Sequence, residues 1–356
     1  MKKHAIIPIF IPHKGCPNDC VFCNQKKITA KQKPFEAEEI GKRIEAYLST
    51  LKGRGLMIEV AFFGGSFTGI PMEEQREYLT VAKKYKDRGE IDKIHLSTRP
   101  DYINEEILNL LQEFTVDVIE LGVQSFDPEV LRLSNRGHTK NVVYSSSDKI
   151  LAYGFELGIQ LMIGLPGDSY EKCMASVEET IKIGPSLARL YPTVILKDTK
   201  LFEQYQEGSY KPFSKEKMLR TTTDMYRKLQ ENNITILRVG LKSTDLISEN
   251  GELISSTYHP AFRQLVQGEI AKEDLERQLL ASLKGRYNKE KILKEKMENG
   301  ASKPVVTFLC ERTSFSNMIG NCRRNKNYFE KKYPQFSFRF KIDESLPAER
   351  YQLNIL

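Results

Sequence analysis

Three cysteines near the start of the chain have the spacing of a metal site. Cys16, Cys20 and Cys23 form a C-x3-C-x2-C cluster directly after the first apolar run. Thiolates ligate soft metals, and three thiolates on one loop suit an iron–sulfur cluster. A structural zinc site normally takes four ligands, often supplied by two closely spaced pairs of cysteines or histidines. His13 would supply a fourth ligand here, but the sequence has no second pair of cysteines with that spacing. Three ligands on a four-iron cluster leave one iron open for chemistry.

The other cysteines indicate a reducing compartment. Cys173, Cys310 and Cys322 are scattered, and a tight cluster without a secretory signal binds metal more often than it forms disulfides. The apolar start of the chain contains two prolines and no small-residue cleavage site. No apolar run approaches the ~18–20 residues that span a bilayer. We therefore expect a cytoplasmic protein without a membrane partner.

The charge of the chain is concentrated near its C-terminal end. The 356 residues carry a net charge of +7, and residues 266–356 contain 18 Lys and Arg against 12 Asp and Glu. A basic segment of this kind indicates a polyanionic partner such as RNA, or simply a solvated helical face. The run Arg323–Lys326, with Tyr328, Phe329 and Tyr333 nearby, suits either a phosphate-binding and base-stacking patch or a helix with an aromatic core side.

These residues are carried by alternating strands and helices over the first two thirds of the chain. Apolar runs separated by helical periodicity predict parallel βαβ units, and about seven strands suit a complete or partial α/β barrel. The pattern changes after this region, so we predict two domains, residues 1–265 and a small α/β appendix at 266–356. Strands are predicted at 6–12, 57–63, 93–97, 116–123, 157–163, 190–196, 234–239, 305–309, 336–342 and 351–356. Helices are predicted at 36–51, 104–114, 142–153, 171–183, 214–232, 269–283, 288–297 and 316–326.

The cysteine cluster resembles that of the radical SAM enzymes, which have an aromatic residue, here Phe22, before the third cysteine. The chain further resembles the radical SAM part of the Elongator catalytic subunit family over residues 8–265. The matching segments are TRPDY at 98–102, ELGVQS at 120–125, NRGHT at 135–139, LYPTVI at 190–195, LFE at 201–203 and GSY at 208–210.

The resemblance implies a partial parallel (βα) barrel of the radical SAM type. It also implies a 4Fe–4S cluster on Cys16, Cys20 and Cys23, whose open iron chelates S-adenosylmethionine. Reduction by a one-electron donor would then cleave S-adenosylmethionine to methionine and a 5′-deoxyadenosyl radical, which abstracts hydrogen from a substrate.

The same resemblance assigns residues to S-adenosylmethionine. The turn Gly64-Gly65-Ser66 would receive the amino group, although two glycines after a strand also make an ordinary tight turn. Gln124 would be a polar contact, and Arg136 would pair its guanidinium fork with the carboxylate unless it is a surface arginine. Gln160 would be a further contact or a buried glutamine bonded to backbone, and Gly164 would flank the adenine.

Two departures from the family bear on function. Ser97 stands at a strand end where many relatives have an acidic residue. Residues 266–356 lack the glycine-rich turn that binds the pyrophosphate of acetyl-CoA, so no acetyltransferase domain is expected.

The sequence thus predicts a cytoplasmic radical SAM enzyme that modifies tRNA, held by the basic C-terminal domain. One alternative is a radical SAM oxidoreductase acting on a metabolite or a protein side chain. Another is an iron–sulfur protein that binds RNA or senses redox state without radical chemistry.

Overall fold

The computed structural model describes residues 4–11, 16, 20–23, 36–51, 53–241, 258–284 and 303–355. Contacts divide the chain into two units, Met1–Pro260 and Ala261–Leu356. The sequence placed the domain boundary at 265/266, and that placement stays a prediction.

The first unit is built on a sheet of seven parallel strands that pair in chain order, from β1 at one edge to β7 at the other. The strands are β1 (His4–Ile11), β2 (Met57–Gly64), β3 (Lys93–Thr98), β4 (Val118–Gln124), β5 (Glu156–Ile163), β6 (Leu187–Pro192) and β7 (Thr235–Val239). The helices are α1 (Ala37–Leu51), α2 (Met72–Asp87), α3 (Glu105–Glu113), α4 (Pro128–Leu133), α5 (Lys140–Ala152), α6 (Tyr170–Ile183), α7 (Lys200–Gln206) and α8 (Lys215–Glu231).

The two faces of this sheet are buried to different degrees. In β5, Leu157, Ile159, Leu161 and Ile163 are buried, whereas Gln160 and Met162 between them are only half-buried. Successive side chains of a strand point to opposite faces, so one face lies under the helices and the other lines a partly open interior. The curled sheet confirms the predicted partial barrel.

The sequence missed three helices of the first unit, α2, α4 and α7. The longest, α2, is rich in Lys and Glu, and its buried stripe is narrow because it consists of residues such as Tyr78, Leu79 and Ala82. A strongly charged helix with a thin apolar stripe gives a weak periodicity signal. The predicted helix at 288–297 lies outside the described residues.

A glycine is required where β2 passes the end of β1. Gly64 has a φ of +111°, and a Cβ added there would lie 2.5 Å from the carbonyl oxygen of Ile11. The next amide, that of Gly65, donates to the same oxygen at 2.9 Å. The backbones of the two strands therefore meet with no room for a side chain.

Gly64→Ala should therefore lower the free energy of unfolding. We expect the loss to be about 1–3 kcal/mol larger than for a Gly→Ala substitution at another positive-φ position whose new Cβ would contact nothing. Gly89→Ala is the matched control, since Gly89 has a φ of +67° with nothing within 4 Å of its added Cβ. Urea denaturation of both variants measures the difference. Equal losses would show that the approach of the two strands relaxes freely.

The second unit is a three-stranded sheet with helices packed on one side. Its elements are β8 (Val305–Cys310), β9 (Ser337–Ile342), β10 (Tyr351–Ile355), α9 (Phe262–Lys284), α10 (Phe315–Ile319) and α11 (Arg324–Lys332). The central strand β8 pairs parallel with β9 and antiparallel with β10, which confirms the predicted strand at the edge. Residues such as Leu275, Phe308 and Phe329 form its core.

One predicted helix of this unit, at 316–326, is two short helices. Gly320, Cys322 and Arg323 all have positive φ, which ends α10 and starts α11 in a new direction. Among the described residues, no helix is both long and apolar enough to cross a bilayer.

Candidate active site

Backbone hydrogen bonds hold the cysteine loop against the end of α4 and the start of α7 in the first unit. The amide of Val21 donates to the carbonyl of Ser134 at 3.2 Å, and the amide of Leu201 donates to the carbonyl of Val21 at 2.7 Å. The amide of Cys23 donates to the carbonyl of Cys20 at 2.9 Å, closing a tight turn. Cys20 is buried, and Cys16 and Cys23 are half-buried.

The three cysteines share one loop but are not arranged as a finished metal site. Among the described residues, no three His, Cys, Asp or Glu side chains have the arrangement of a metal-binding group. Ligation by all three sulfurs therefore stays a prediction. Outside the loop, Cys310 is buried in β8 and Cys322 is exposed.

Arg136 connects the cysteine loop to the end of β4. Its Nη1 donates to Cys20 Sγ at 3.5 Å, and its Nη2 donates to the carbonyl of Gly122. The residue is only 6% exposed, so it is not a surface arginine. A buried guanidinium beside a sulfur and a strand end places positive charge where a cluster and an anionic ligand would meet.

Gln124 lies beside Arg136 at an irregular strand end. The pairing of β4 with β5 shifts register between Gly122 and Gln124, and Gln124 has a φ of +71°. A Cβ on Gly122 would lie 3.0 Å from both Arg136 Nη2 and Gln124 Nε2. The glycine thus leaves the space that these two polar side chains occupy. Gln124 Oε1 is buried and has no hydrogen-bond partner in the part of the chain that the structure describes.

Arg99 links the glycine turn Gly64-Gly65-Ser66 to Arg136 by hydrogen bonds. The sequence assigned no role to Arg99. Ser66 Oγ accepts from the amide of Arg99 at 3.1 Å and bonds Thr98 Oγ1 at 2.8 Å. Arg99 Nη2 donates to the carbonyl of Arg136 at 2.8 Å, and a fork of Nε and Nη2 holds Asp101. An arginine followed two residues later by an aspartate, soon after the predicted strand at 93–97, is the sequence feature that could have identified Arg99 as a buried, paired arginine.

Arg99 also presents an unused donor. The residue is 2% exposed, and its Nη1 has no hydrogen-bond partner among the described residues. A buried charged donor is costly unless something pairs with it. Together with Gln124 Oε1, it fits a polar, negatively charged ligand beside the cysteine loop.

The charges at this site act on its titratable groups. Burial raises the pKa of the Cys16 thiol, and Arg136 and Arg99 offset only part of that rise. Burial and then Arg136 lower the pKa of His138 to about 4. His138 is therefore a neutral imidazole at pH 7, so the cationic charge here comes from the two arginines.

The other two predicted contacts, Gln160 and Gly164, have partners of their own. Gln160 Nε2 donates to Glu120 Oε2 at 2.8 Å, deeper in the barrel. The amide of Gly164 donates to Asp168 Oδ2 at 2.8 Å, and its carbonyl accepts from the hydroxyl of Tyr210 at 2.6 Å. A ligand contact at Gly164 would thus be chiefly apolar. Both roles stay predictions.

A chain of charged side chains crosses the barrel interior, and the sequence did not predict it. Glu59 contacts His95 Nδ1, and His95 Nε2 lies 2.6 Å from Glu120 Oε1. Arg189 Nε donates to Glu120 Oε2 at 2.7 Å, and its guanidinium lies 4.6 Å from the ring centre of Phe63. We call Glu59, His95, Glu120 and Arg189 the interior ion network.

The charges of this network stabilise one another. Burial alone would raise the pKa of Glu120, but Arg189 and His95 lower it to about 2. Burial would lower the pKa of His95, but Glu120 and Glu59 raise it to about 9. All four members are therefore ionised at neutral pH, with two positive and two negative charges.

Comparison with protein families matches two models on this chain. The model of the Radical SAM superfamily matches residues 10–179, and that of the Radical_SAM C-terminal domain matches residues 185–272. Together they span the cysteine loop, β2 to β7 and the first half of α9.

Named relatives match over part of their lengths. The tRNA uridine(34) acetyltransferase of Methanocaldococcus infernus is 27% identical over 46% of this chain and 34% of its own. Elongator complex protein 3 of Homo sapiens is 28% identical over 59% of this chain and 46% of its own. An uncharacterized protein of Methanocaldococcus jannaschii is 27% identical over 60% of this chain and 69% of its own. The chain thus spans between a third and a half of the two relatives that have named activities or complexes.

A solved structure shares the fold. The archaeal Elp3 of Methanocaldococcus infernus superposes with a TM-score of 0.60 at 19% identity, covering 77% of this chain and 64% of the other. At this identity the likeness shows the partial barrel and nothing about the substrate.

Proposed function

Because this chain belongs to the radical SAM superfamily, we propose that Cys16, Cys20 and Cys23 hold a 4Fe–4S cluster and that S-adenosylmethionine binds beside Arg136. When bound and reduced, the cluster supplies the electron that splits S-adenosylmethionine into methionine and a 5′-deoxyadenosyl radical. The residues around it bind, orient and shield the two cofactors.

The observation that carries this proposal is the position of Arg136. One nitrogen of its guanidinium contacts the sulfur of Cys20 and another contacts the end of β4. A carboxylate placed between the cluster and β4 would meet a charged donor already desolvated by the protein. Arg99 acts as a positioning residue, since it holds the carbonyl of Arg136.

Gln124 adds the second contact to the cofactor pocket. Its free Oε1 accepts a hydrogen bond, so it suits the amino or ribose hydroxyl groups of S-adenosylmethionine. The turn Gly64-Gly65-Ser66 supplies backbone rather than side-chain groups, because the hydroxyl of Ser66 is already engaged with Arg99 and Thr98.

Arg136→Ala should keep the cluster and weaken S-adenosylmethionine binding by roughly 10- to 100-fold. The expected loss reflects removal of one charge-assisted contact of about 1.5–3 kcal/mol. Equilibrium binding to the anaerobically reconstituted protein measures it, with iron content and visible absorbance reporting the cluster. Arg132→Ala is the control, because Arg132 lies in the last turn of α4 as an ordinary basic residue. Unchanged affinity in Arg136→Ala would place the cofactor elsewhere.

For the substrate we propose a tRNA. Two of the matched relatives are named for tRNA uridine modification or for the Elongator complex, and the C-terminal region of this chain is basic. A small metabolite or a protein side chain is the second candidate, favoured by the half-open barrel interior around Gln160.

Two assays separate the candidates. Reduction of the reconstituted protein with S-adenosylmethionine should yield 5′-deoxyadenosine, whereas a redox sensor would bind the cluster and yield none. Addition of tRNA should increase that yield and leave a modified nucleoside in the RNA. Stimulation by metabolite mixtures but not by tRNA would favour the second candidate.

A further inference from the structure

We propose that the open face of the three-stranded sheet in the second unit binds the phosphate backbone of a folded RNA. This inference rests on the proposed function, because it assumes an RNA substrate, and it identifies the surface that holds it. The surface is distinct from the Arg323–Lys326 run that the sequence singled out.

The register of the three strands defines this surface. Val306, Phe308 and Phe338 point into the core under the helices, so the alternate residues of each strand lie on the other face. We call this other face the outer sheet face. It consists of Ser337, Arg339 and Lys341 on β9, Val305, Thr307 and Leu309 on β8, and Gln352 and Asn354 on β10.

The outer sheet face carries positive charge and no negative charge. Arg339 and Lys341 are exposed, and neither has an ion-pair partner among the residues that the structure describes. The eight residues of the face include no Asp or Glu. Acidic residues near the sheet, Asp343 and Glu344, lie in the turn after β9 instead.

The polar groups on the face suit a sugar–phosphate chain. Paired residues form two rows across the sheet. One row consists of Arg339 on β9, Thr307 on β8 and Asn354 on β10. The other row consists of Lys341, Leu309 and Gln352 on the same three strands. Each row therefore has a cation at one edge strand and an exposed amide at the other. Cations and neutral donors of this type make most protein contacts to phosphate and sugar oxygens.

The face lacks the residues that read bases. None of its eight side chains is aromatic, so it offers no stacking platform of the kind that binds single-stranded bases. We therefore expect contact with the backbone of a structured RNA, with little dependence on sequence and a strong dependence on salt.

The alternative patch on α11 is built differently. Phe329 is fully buried, Tyr333 is nearly so, and Asn325 uses its amide to bond three backbone carbonyls. The hydroxyl of Tyr328 bonds the carboxylate of Glu276. The aromatic residues of that run therefore belong to the core, which leaves only its exposed cations for RNA.

The experiment compares two double charge reversals in the full-length, cluster-loaded protein. Arg339→Glu with Lys341→Glu alters the outer sheet face. Arg324→Glu with Lys331→Glu makes the same change in net charge on exposed positions of α11. Binding of fluorescently labelled bulk tRNA is followed by anisotropy at several KCl concentrations, and thermal melts confirm that both variants fold.

The face variant should bind tRNA at least ~10-fold more weakly at low salt, with the slope of log K against log salt reduced by about 2, one for each lost phosphate contact. The α11 variant should change affinity by less than ~3-fold. Cleavage of S-adenosylmethionine without RNA should be the same in both variants and in the unaltered protein.

Three results would overturn the proposal in distinguishable ways. Equal tRNA binding by the face variant and the unaltered protein would reject the outer sheet face. A loss confined to the α11 variant would assign RNA binding to that helix. No tRNA binding by the unaltered protein would reject this surface together with the RNA substrate, while 5′-deoxyadenosine formation would still test the cofactor site independently.

Discussion

Cys20→Ala is expected to remove the cluster and reduce 5′-deoxyadenosine formation by at least ~1,000-fold, which corresponds to about 4 kcal/mol or more in the activation barrier. Cys20 is the most buried of the three cysteines and is the one that Arg136 contacts. Its loss removes one of the three proposed cluster ligands and the sulfur that lies beside Arg136, the proposed carboxylate partner. Iron and sulfide content, visible absorbance and product yield after anaerobic reconstitution measure the effect.

Cys322→Ser is the matched control for this change. Cys322 is exposed and lies in the second unit, so its replacement should leave iron content and product yield within a factor of about two. Full cleavage activity in Cys20→Ala would contradict the proposed mechanism outright. A cluster lost equally in both variants would instead point to a general effect on reconstitution.

Much of the first unit could be predicted because its strands are local features of the sequence. Runs such as Val118–Gln124 are apolar except for Glu120 and the final Gln124, and a parallel strand buried on both faces needs little else to identify it. The cysteine loop was equally readable, since its three cysteines lie within eight consecutive residues.

The environment of Arg136 could be predicted only in part. The sequence placed a guanidinium near the cofactor by resemblance, but it gave no sign that Arg99 would hold the carbonyl of Arg136. That contact joins residues 37 positions apart on different loops. It exists because β3 and β4 are neighbours whose C-terminal ends open on the same edge of the sheet.

The interior ion network escaped prediction for a related reason. Glu59, Glu120 and Arg189 are each the single charged residue of their strand, and a lone charge in a strand by itself suggests a solvated position. Glu120 and Arg189 are 69 residues apart, and only the in-order arrangement of the strands brings them together. The sequence predicted that Gln160 contacts the cofactor. In the structure its side-chain amide donates to Glu120, a member of the interior ion network.

The network also explains how the barrel can stay partly open inside. A closed barrel fills its interior with branched apolar side chains. Here paired charges occupy the interior at the level of Glu120, to which Gln160 donates, and the half-buried Met162 lies two residues further toward the C-terminal end of β5.

Glu120→Ala should accordingly lower the free energy of unfolding by about 3–5 kcal/mol, because it leaves His95 and Arg189 buried without their shared carboxylate. Urea denaturation of the apoprotein measures the loss. Glu113→Ala is the control, since the Arg76–Glu113 pair is about half exposed and an exposed pair contributes at most ~1 kcal/mol. A loss below 1 kcal/mol in Glu120→Ala would mean that the two cations find other partners or water.

The pH dependence of the same unfolding reaction distinguishes charge pairing from simple loss of volume. His95 has a folded-state pKa raised to about 9, above its ordinary value of about 6.5. Its contribution to stability is therefore complete below pH 6.5 and disappears as the pH rises through 9. Glu120→Gln keeps the volume but removes the largest of the charges that raise the pKa of His95, so stability should fall less between pH 6.5 and 9 than in the unaltered protein. An unchanged pH profile in Glu120→Gln would show that Glu59 alone holds His95 in its charged form.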